Sequence, residues 1–133
     1  MRVKIDGEMY DLNFGVGFVR ELDQAHKIEG AVEFGTGVTS LYARLHSPNP
    51  YALYEAMHAA LQPELELTEE MFDRWVDSFK TEREYTNFFD LLLKEFKKQR
   101  QTKPLIRNYE QVMAQITKKQ QKAQEKVQNS IKQ

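Results

Sequence analysis

Polar and apolar positions alternate at the start of the chain and change to helical spacing for the rest of it. Val3 and Ile5 flank Lys4, and Tyr10 and Leu12 flank Asp11, on either side of Asp6-Gly7. That dipeptide tolerates the positive φ angles of a two-residue type I′ turn, so the two short runs predict a hairpin. With Asp6 and Gly7 as the loop, Ile5 faces Glu8, Lys4 faces Met9, Val3 faces Tyr10 and Arg2 faces Asp11. Val3, Ile5, Tyr10 and Leu12 then share an apolar face, while Arg2 and Asp11 form an opposite-charge pair on the other. A lone two-stranded ribbon is marginally stable in water, so the apolar face must lie on helices.

Those helices follow in order. Phe18, Val19, Leu22 and Ala25 recur at helical spacing up to about Lys27, with Gly30 as the stop. The connection Phe34-Gly35-Thr36-Gly37 leads to a second stripe, Val38, Leu41, Tyr42 and Leu45, closed by Ser47-Pro48. Asn49 is an N-cap with Pro50 at the first helical position, where a missing amide donor costs nothing. Leu53, Met57, Ala60 and Leu61 form the buried side of this third helix, which stops by Pro63. Thr68 caps a fourth, with Glu69 and Glu70 at the positive end of its dipole and Met71, Phe72, Trp75 and Phe79 as its apolar face. Thr81-Glu82-Arg83-Glu84 fits a capping box, and Tyr85, Phe88, Phe89, Leu92 and Phe96 form the strongest stripe of the chain. The pattern breaks at Thr102-Lys103-Pro104 and restarts as Leu105, Tyr109, Val112 and Ile116, widened by Ile106 and Met113. In that phase Lys119 and Lys126 occupy positions that apolar residues should fill. Lys118 to Gln133 therefore reads as a frayed helix, or as a segment that orders on a partner.

The expected fold class is α+β and predominantly α-helical: an N-terminal β-hairpin packed on a bundle of about five or six helices. Residues 1–100 are expected to form a compact domain, and residues 101–133 a Lys/Gln-rich helix whose distal end frays. Charge divides the chain at nearly the same place. The 133 residues carry 19 basic and 20 acidic side chains. Residues 1–93 hold 8 basic and 17 acidic groups, and residues 94–133 hold 11 and 3, so an acidic body of −9 precedes a basic tail of +8. This split implies attraction within or between subunits, or a basic arm that meets an acidic partner or nucleic acid.

Composition removes several kinds of chemistry. With no cysteine, a disulfide framework, a Cys-ligated zinc and an iron-sulfur centre are excluded. The longest apolar runs, such as Leu91 to Leu93, fall far short of the ~20 residues that cross a bilayer. Met1 to Gly7 lacks the apolar stretch of a secretory signal, so a soluble cytoplasmic protein is expected. His26, His46 and His58 show no paired spacing on one helical face, so no metal ligands are assigned. Gly15-Val16-Gly17 and Gly35-Thr36-Gly37 complete neither a dinucleotide fingerprint nor a phosphate loop, and read as turns before helices. Glu64, Glu66, Glu69, Glu70, Asp73 and Asp77 lie on a solvated face, where they could attract the basic arm of this or a neighbouring subunit. Tyr51, Tyr54, Phe72, Trp75, Tyr85, Phe88 and Phe89 fall on helical stripes and read as core rather than as base-stacking platforms. No catalytic residue and no cofactor is assigned. The basic tail lacks interleaved aromatics, so a solvated or protein-binding arm ranks ahead of nucleic-acid binding.

Several segments, in their order and spacing, resemble the tail assembly chaperones of long-tailed phages and of prophages of Gram-positive bacteria. They are Val3-Lys4-Ile5-Asp6-Gly7, Tyr10-Asp11-Leu12-Asn13-Phe14-Gly15 and Phe18-Val19-Arg20-Glu21-Leu22-Asp23. Phe34-Gly35-Thr36-Gly37-Val38 and Asn49-Pro50-Tyr51-Ala52-Leu53, leading into Ala59-Ala60-Leu61, continue the series. The likeness spans about residues 1–93, and the long Lys/Gln-rich end departs from the usual pattern. The resemblance implies a non-enzymatic protein that self-associates as a homo-oligomer. It would bind the tape measure protein, keep it soluble while tail tube protein polymerises around it, act in the host cell cytoplasm and be absent from the mature virion. A helix-rich partner with an apolar face could cover the tape measure protein's apolar stripes in a helix-in-groove manner.

Leu105, Ile106, Tyr109, Val112, Met113 and Ile116 are the expected partner-contact residues, because their stripe continues past the natural end of the compact body. The alternative of equal weight is that this stripe packs on residues 85–96 of the same chain. Two other functions stay open: a structural tail tube, connector or completion protein, and a nucleic-acid-binding adaptor acting through the basic arm.

Overall fold

The computed structural model of the protein describes residues 1–25 and 35–131. Among the described residues two strands, β1 (Arg2–Ile5) and β2 (Glu8–Asp11), precede six helices: α1 (Val16–Ala25), α2 (Thr36–Arg44), α3 (Pro50–Leu61), α4 (Glu69–Asp77), α5 (Glu82–Lys98) and α6 (Lys103–Ile131). The fold is α+β and mostly helical, as the hydrophobic pattern predicts.

The hairpin has the predicted register, with Arg2 opposite Asp11 and Ile5 opposite Glu8. Asp6 and Gly7 take φ values of 50° and 87°, the pair of positive angles a type I′ turn requires. Arg2 and Asp11 approach to 2.9 Å on the wet face. Val3, Ile5 and Leu12 are buried on the other, with Tyr10 half-buried beside them. Two contacts fix the ribbon to the body. Arg74 on α4 donates from Nε and Nη2 to the two carboxylate oxygens of Asp6, at 3.1 and 2.9 Å. The backbone amide of Asn13 donates to the carbonyl of Ala60 at the end of α3, at 2.8 Å.

The centre of the molecule is α3, whose residues Ala52, Leu53, Ala56, Met57, Ala59, Ala60 and Leu61 are all buried. A helix apolar on nearly every side must be surrounded, and the small alanines let its neighbours approach closely. Asn49 Oδ1 accepts from the amides of Tyr51 and Ala52 at 3.0 and 3.3 Å, the N-cap that the Asn-Pro pair implies. Thr68 caps α4 through Met71 N and Thr81 caps α5 through Glu84 N, both at 3.1 Å. The box at α5 closes differently from its standard form, because the Glu84 carboxylate accepts from Lys80 N at 3.3 Å rather than from the capping residue itself. Phe14, Phe18 and Phe96 meet with ring centroids 5.1 to 5.6 Å apart. This cluster joins the hairpin exit, α1 and the end of α5. A second aromatic chain runs through Phe72, Trp75, Phe79 and Phe88 and joins α4 to α5.

Contact between α1 and α2 depends on two glycines and one carboxylate. A Cβ on Gly37 would stand 2.3 Å from the Leu22 carbonyl oxygen, so the two backbones come closer than any side chain permits. Gly35, at φ 77°, precedes α2. Asp23, 7% exposed, accepts from the amides of Gly35 and Gly37 through its two oxygens, each at 2.9 Å. It satisfies donors that open at a helix start and places negative charge at the positive end of the dipole.

Three expectations need adjustment or lie out of view. Ala25 is exposed, because α1 turns its last residue away from the core. Tyr51 is 79% exposed, since the capped start of α3 projects its second residue outward while Ala52 and Leu53 point in. The expected end of the first helix, Lys27 and Gly30, lies outside the described residues, as do His26 and Phe34.

A candidate protein-binding helix

The last helix is anchored at its root and bare beyond it. Thr102, fully buried, donates its hydroxyl to the Phe96 carbonyl at 2.6 Å, tying the end of α5 to the start of α6. Ile106 is buried in the core. Leu105 lies where a side chain on Gly35 would stand, its methyl carbons 2.8 Å from an ideal Cβ. Tyr109 meets Tyr42 of α2 edge-on, with ring centroids 6.0 Å apart. Lys97 on α5 reaches Glu110 at 3.8 Å and lies over the Tyr42 ring. Its ammonium titrates above the ordinary lysine range, chiefly through the Tyr42 hydroxyl and then through Glu110.

The six residues expected to meet a partner therefore divide. Leu105, Ile106 and Tyr109 pack on α2, α5 and the core. Val112, Met113 and Ile116 stand on the surface, 46%, 42% and 42% exposed. From Glu110 onward every described residue is exposed, yet α6 continues as a regular helix to Ile131. The described backbone is helical from Lys118 to Ile131.

The buried position also resets the phase of the stripe. Counted from Ile106 at alternating steps of three and four, it runs Tyr109, Met113, Ile116, Gln120, Ala123 and Val127. Lys119 and Lys126 then border the stripe instead of interrupting it. This is a heptad seam with one polar residue, Gln120, inside it. Val127, exposed, was missed by the phase taken from Leu105; the signal was present, but it needed knowledge of which residue points inward.

Among the open grooves of the surface, one is lined by α6 and another lies where α6 contributes no side chain. One, of about 400 Å³, lies between the end of α5 and the start of α6 and is lined by Lys97, Lys103, Ile106, Arg107 and Glu110 among others. The other, of about 210 Å³, lies between α3 and α4 and is lined by Pro50, Tyr51, Tyr54, Phe72, Glu69 and Asp73. Tyr51 is the aromatic that departs from the core, and Tyr54 anchors the groove by donating its hydroxyl to the Leu67 carbonyl at 2.9 Å.

Other chemistry-bearing groups have structural partners. His46 Nδ1 lies 2.8 Å from the Tyr42 carbonyl. His58 stands between Glu66 at 2.8 Å and Glu21 at 3.8 Å. Glu66 is held below the usual carboxylate range, first by its hydrogen bond from Gln62 and then by His58. The amides of Gly35 and Gly37 form the kind of helix start that binds anions, and the chain's own Asp23 fills it. Among the described residues no three His, Asp or Glu side chains converge as a metal site. No described helix is long and apolar enough to cross a membrane. What this arrangement offers is a long projecting helix with an apolar seam and a basic edge, suited to binding another helix.

A family model described as "Phage tail assembly chaperone protein, TAC" matches residues 2–111. No curated protein and no solved structure matches the chain.

Proposed function

Because the chain belongs to the phage tail assembly chaperone family, we propose that it binds the tape measure protein, keeps it soluble and promotes tail tube polymerisation around it. The observation that supports this reading is the exposed apolar set Val112, Met113 and Ile116, two of them on the seam and Val112 beside it, on a helix rooted in the core by Ile106. A rooted helix presents its side chains at fixed spacing, so less conformational entropy is lost on binding than with a flexible segment. An apolar helical stripe of the partner, laid along this seam, removes both surfaces from water. The protein works by contact and not by bond chemistry. It acts in the host cytoplasm during tail assembly, and the finished virion lacks it.

Co-expression with the cognate tape measure protein tests the reading. The wild-type chain should hold that protein in the soluble fraction and be captured with it. The Val112→Lys, Met113→Lys, Ile116→Lys variant should lose both effects while keeping its own fold, because all three side chains are already exposed. Tape measure protein that stays insoluble with the wild-type chain refutes the proposal. So does recovery of this chain from purified virions, the outcome that a structural tube, connector or completion protein predicts.

A further inference from the structure

The groove between α3 and α4 combines ring faces with uncompensated negative charge. Tyr51 and Tyr54, one turn apart on α3, line it together with Pro50 and Phe72. Phe72 is buried and Tyr54 half-buried, their rings meeting edge-on with centroids 5.3 Å apart, while Tyr51 is left 79% exposed. The hydrogen bond from the Tyr54 hydroxyl to the Leu67 carbonyl holds that ring in place, so the groove is formed before anything enters it. Glu69 and Asp73 make its α4 edge, one turn apart and about 6 Å along the helix axis. Both are exposed, and neither is in an ion pair among the described residues. Burial raises the Tyr54 phenol above its ordinary range, and the nearby charges of Glu69 and Glu66 raise it further, so the groove lies in negative potential.

We propose that this groove is a docking site for an arginine side chain of a partner protein, the guanidinium lying against the Tyr51 ring and donating to the Glu69 and Asp73 carboxylates. Charge selects a cation, since residues 1–93 carry −9 and their field draws positive groups to the surface. An exposed ring face attracts a cation through its quadrupole, and the carboxylates beside it supply the counter-charge. Arginine suits this pairing better than lysine. Its planar fork of five donors serves two carboxylates a turn apart while its face rests on a ring. It is also less strongly hydrated than an ammonium, so an aromatic-lined groove of about 210 Å³ costs it less to enter. That preference separates the occupant from the chain's own arm, because the residues beyond Arg107 carry lysine and no arginine. The site shares no residue with the apolar set on α6, so it goes beyond the proposed function and does not rest on it. It gives the acidic body a way to choose, among partners with apolar surfaces, one that carries a cation at a fixed place.

The test titrates the purified full chain with an acetylated, amidated peptide of alternating glycine and arginine, and follows backbone amides and tyrosine rings by NMR. Signals of Tyr51, Tyr54, Glu69 and Asp73 should shift together and saturate. A peptide with lysine in place of arginine should bind at least about threefold more weakly. One with citrulline, which keeps the planar shape without the charge, should leave these signals where they are. Tyr51→Leu and the paired Glu69→Gln, Asp73→Asn change only exposed side chains, so the fold should persist, and each should weaken arginine binding at least about threefold. Tyr51→Phe keeps the ring and should bind as the wild type does. An equal response to the lysine or citrulline peptide, or binding unchanged in Tyr51→Leu, reduces the contact to unselective attraction by an acidic surface and overturns the inference. So does the absence of any shift at the groove. Groove signals that move with protein concentration alone mean that the lysine arm of another copy fills the site, and these too overturn it. No tape measure protein enters this experiment, so its failure leaves the partner reading of the preceding subsection standing.

Discussion

Replacing Asp23 with alanine tests the junction on which the α1–α2 contact depends. The carboxylate is 7% exposed and accepts two backbone hydrogen bonds, from Gly35 and Gly37 at 2.9 Å each. Both glycines are buried, so water does not readily take the place of the lost acceptor. Leaving a buried donor unpaired costs ~1–3 kcal/mol, and charged acceptors stand at the upper end of such contributions. Loss of a capping side chain alone costs ~0.5–2 kcal/mol. The two donors share one acceptor group and relax together, so the sum is smaller than twice the larger figure, and ~3 kcal/mol is the expected loss for Asp23→Ala. An unfolding entropy of ~2.1 cal/mol/K per residue gives a chain of this length ~0.28 kcal/mol/K, and the melting temperature should fall by ~10 °C. Thermal denaturation followed by circular dichroism measures the shift. Asp90→Ala, which removes an exposed carboxylate from α5, is the control and should move the midpoint little. Native-state hydrogen exchange adds a local readout, since the Gly37 amide should lose protection in Asp23→Ala. A midpoint within about 3 °C of wild type, with Gly37 still protected, refutes the account of Asp23 as the anchor of α2.

Gly37→Ala should destabilise at least as strongly, because its Cβ meets backbone atoms of Leu22 and Asp23 at 2.3 to 2.7 Å and neither can swing away; urea denaturation checks it. Phe96→Ala empties a fully buried position in contact with Phe14 and Phe18 and should cost ~3–5 kcal/mol by the same measurement. Truncation after Thr117 removes only exposed residues from the described chain, so the melting temperature of the remainder should stay within a few degrees of the full chain. The hydrogen bond from Arg74 holds the Asp6 carboxyl below its usual range, and Gln62 with His58 does the same to Glu66. A carboxylate depressed in the folded state contributes stability above its unfolded pKa, near 4, and loses that contribution as pH falls through the folded value. The stability gap between wild type and Asp6→Asn should therefore be present at neutral pH and close in acid below about 4. A gap that is equal at both pH values contradicts the assigned role of the Arg74 contact.

The hairpin and most helix boundaries are written locally, and for that reason they were legible. Asp6-Gly7 admits one kind of tight turn, which with period-two alternation leaves a single register that buries Val3, Ile5 and Leu12. Asn49-Pro50, Thr68 and Thr81 cap helices through bonds that reach only two or three residues along the chain. Non-local events were not legible. Asp23 and Gly37 are fourteen residues apart, and nothing in either neighbourhood announces that one carboxylate will fill the helix start opened by the other. Tyr51 lies on an apolar pattern that the core does not use, because the neighbours of α3 cover its other faces. In the last helix the amphipathic stripe was visible in sequence, but its phase was not: Leu105 and Ile106 are both apolar, and only packing shows which one points inward. Turning from one to the other moves the seam by about 100°, enough to shift Lys119 and Lys126 from its middle to its edge and to bring Val127 into line. Sequence thus determined which segments are helical and how α3, α4 and α5 are capped, since those energies are local. Tertiary structure decided which faces are left bare, since exposure is a property of what the rest of the chain fails to cover.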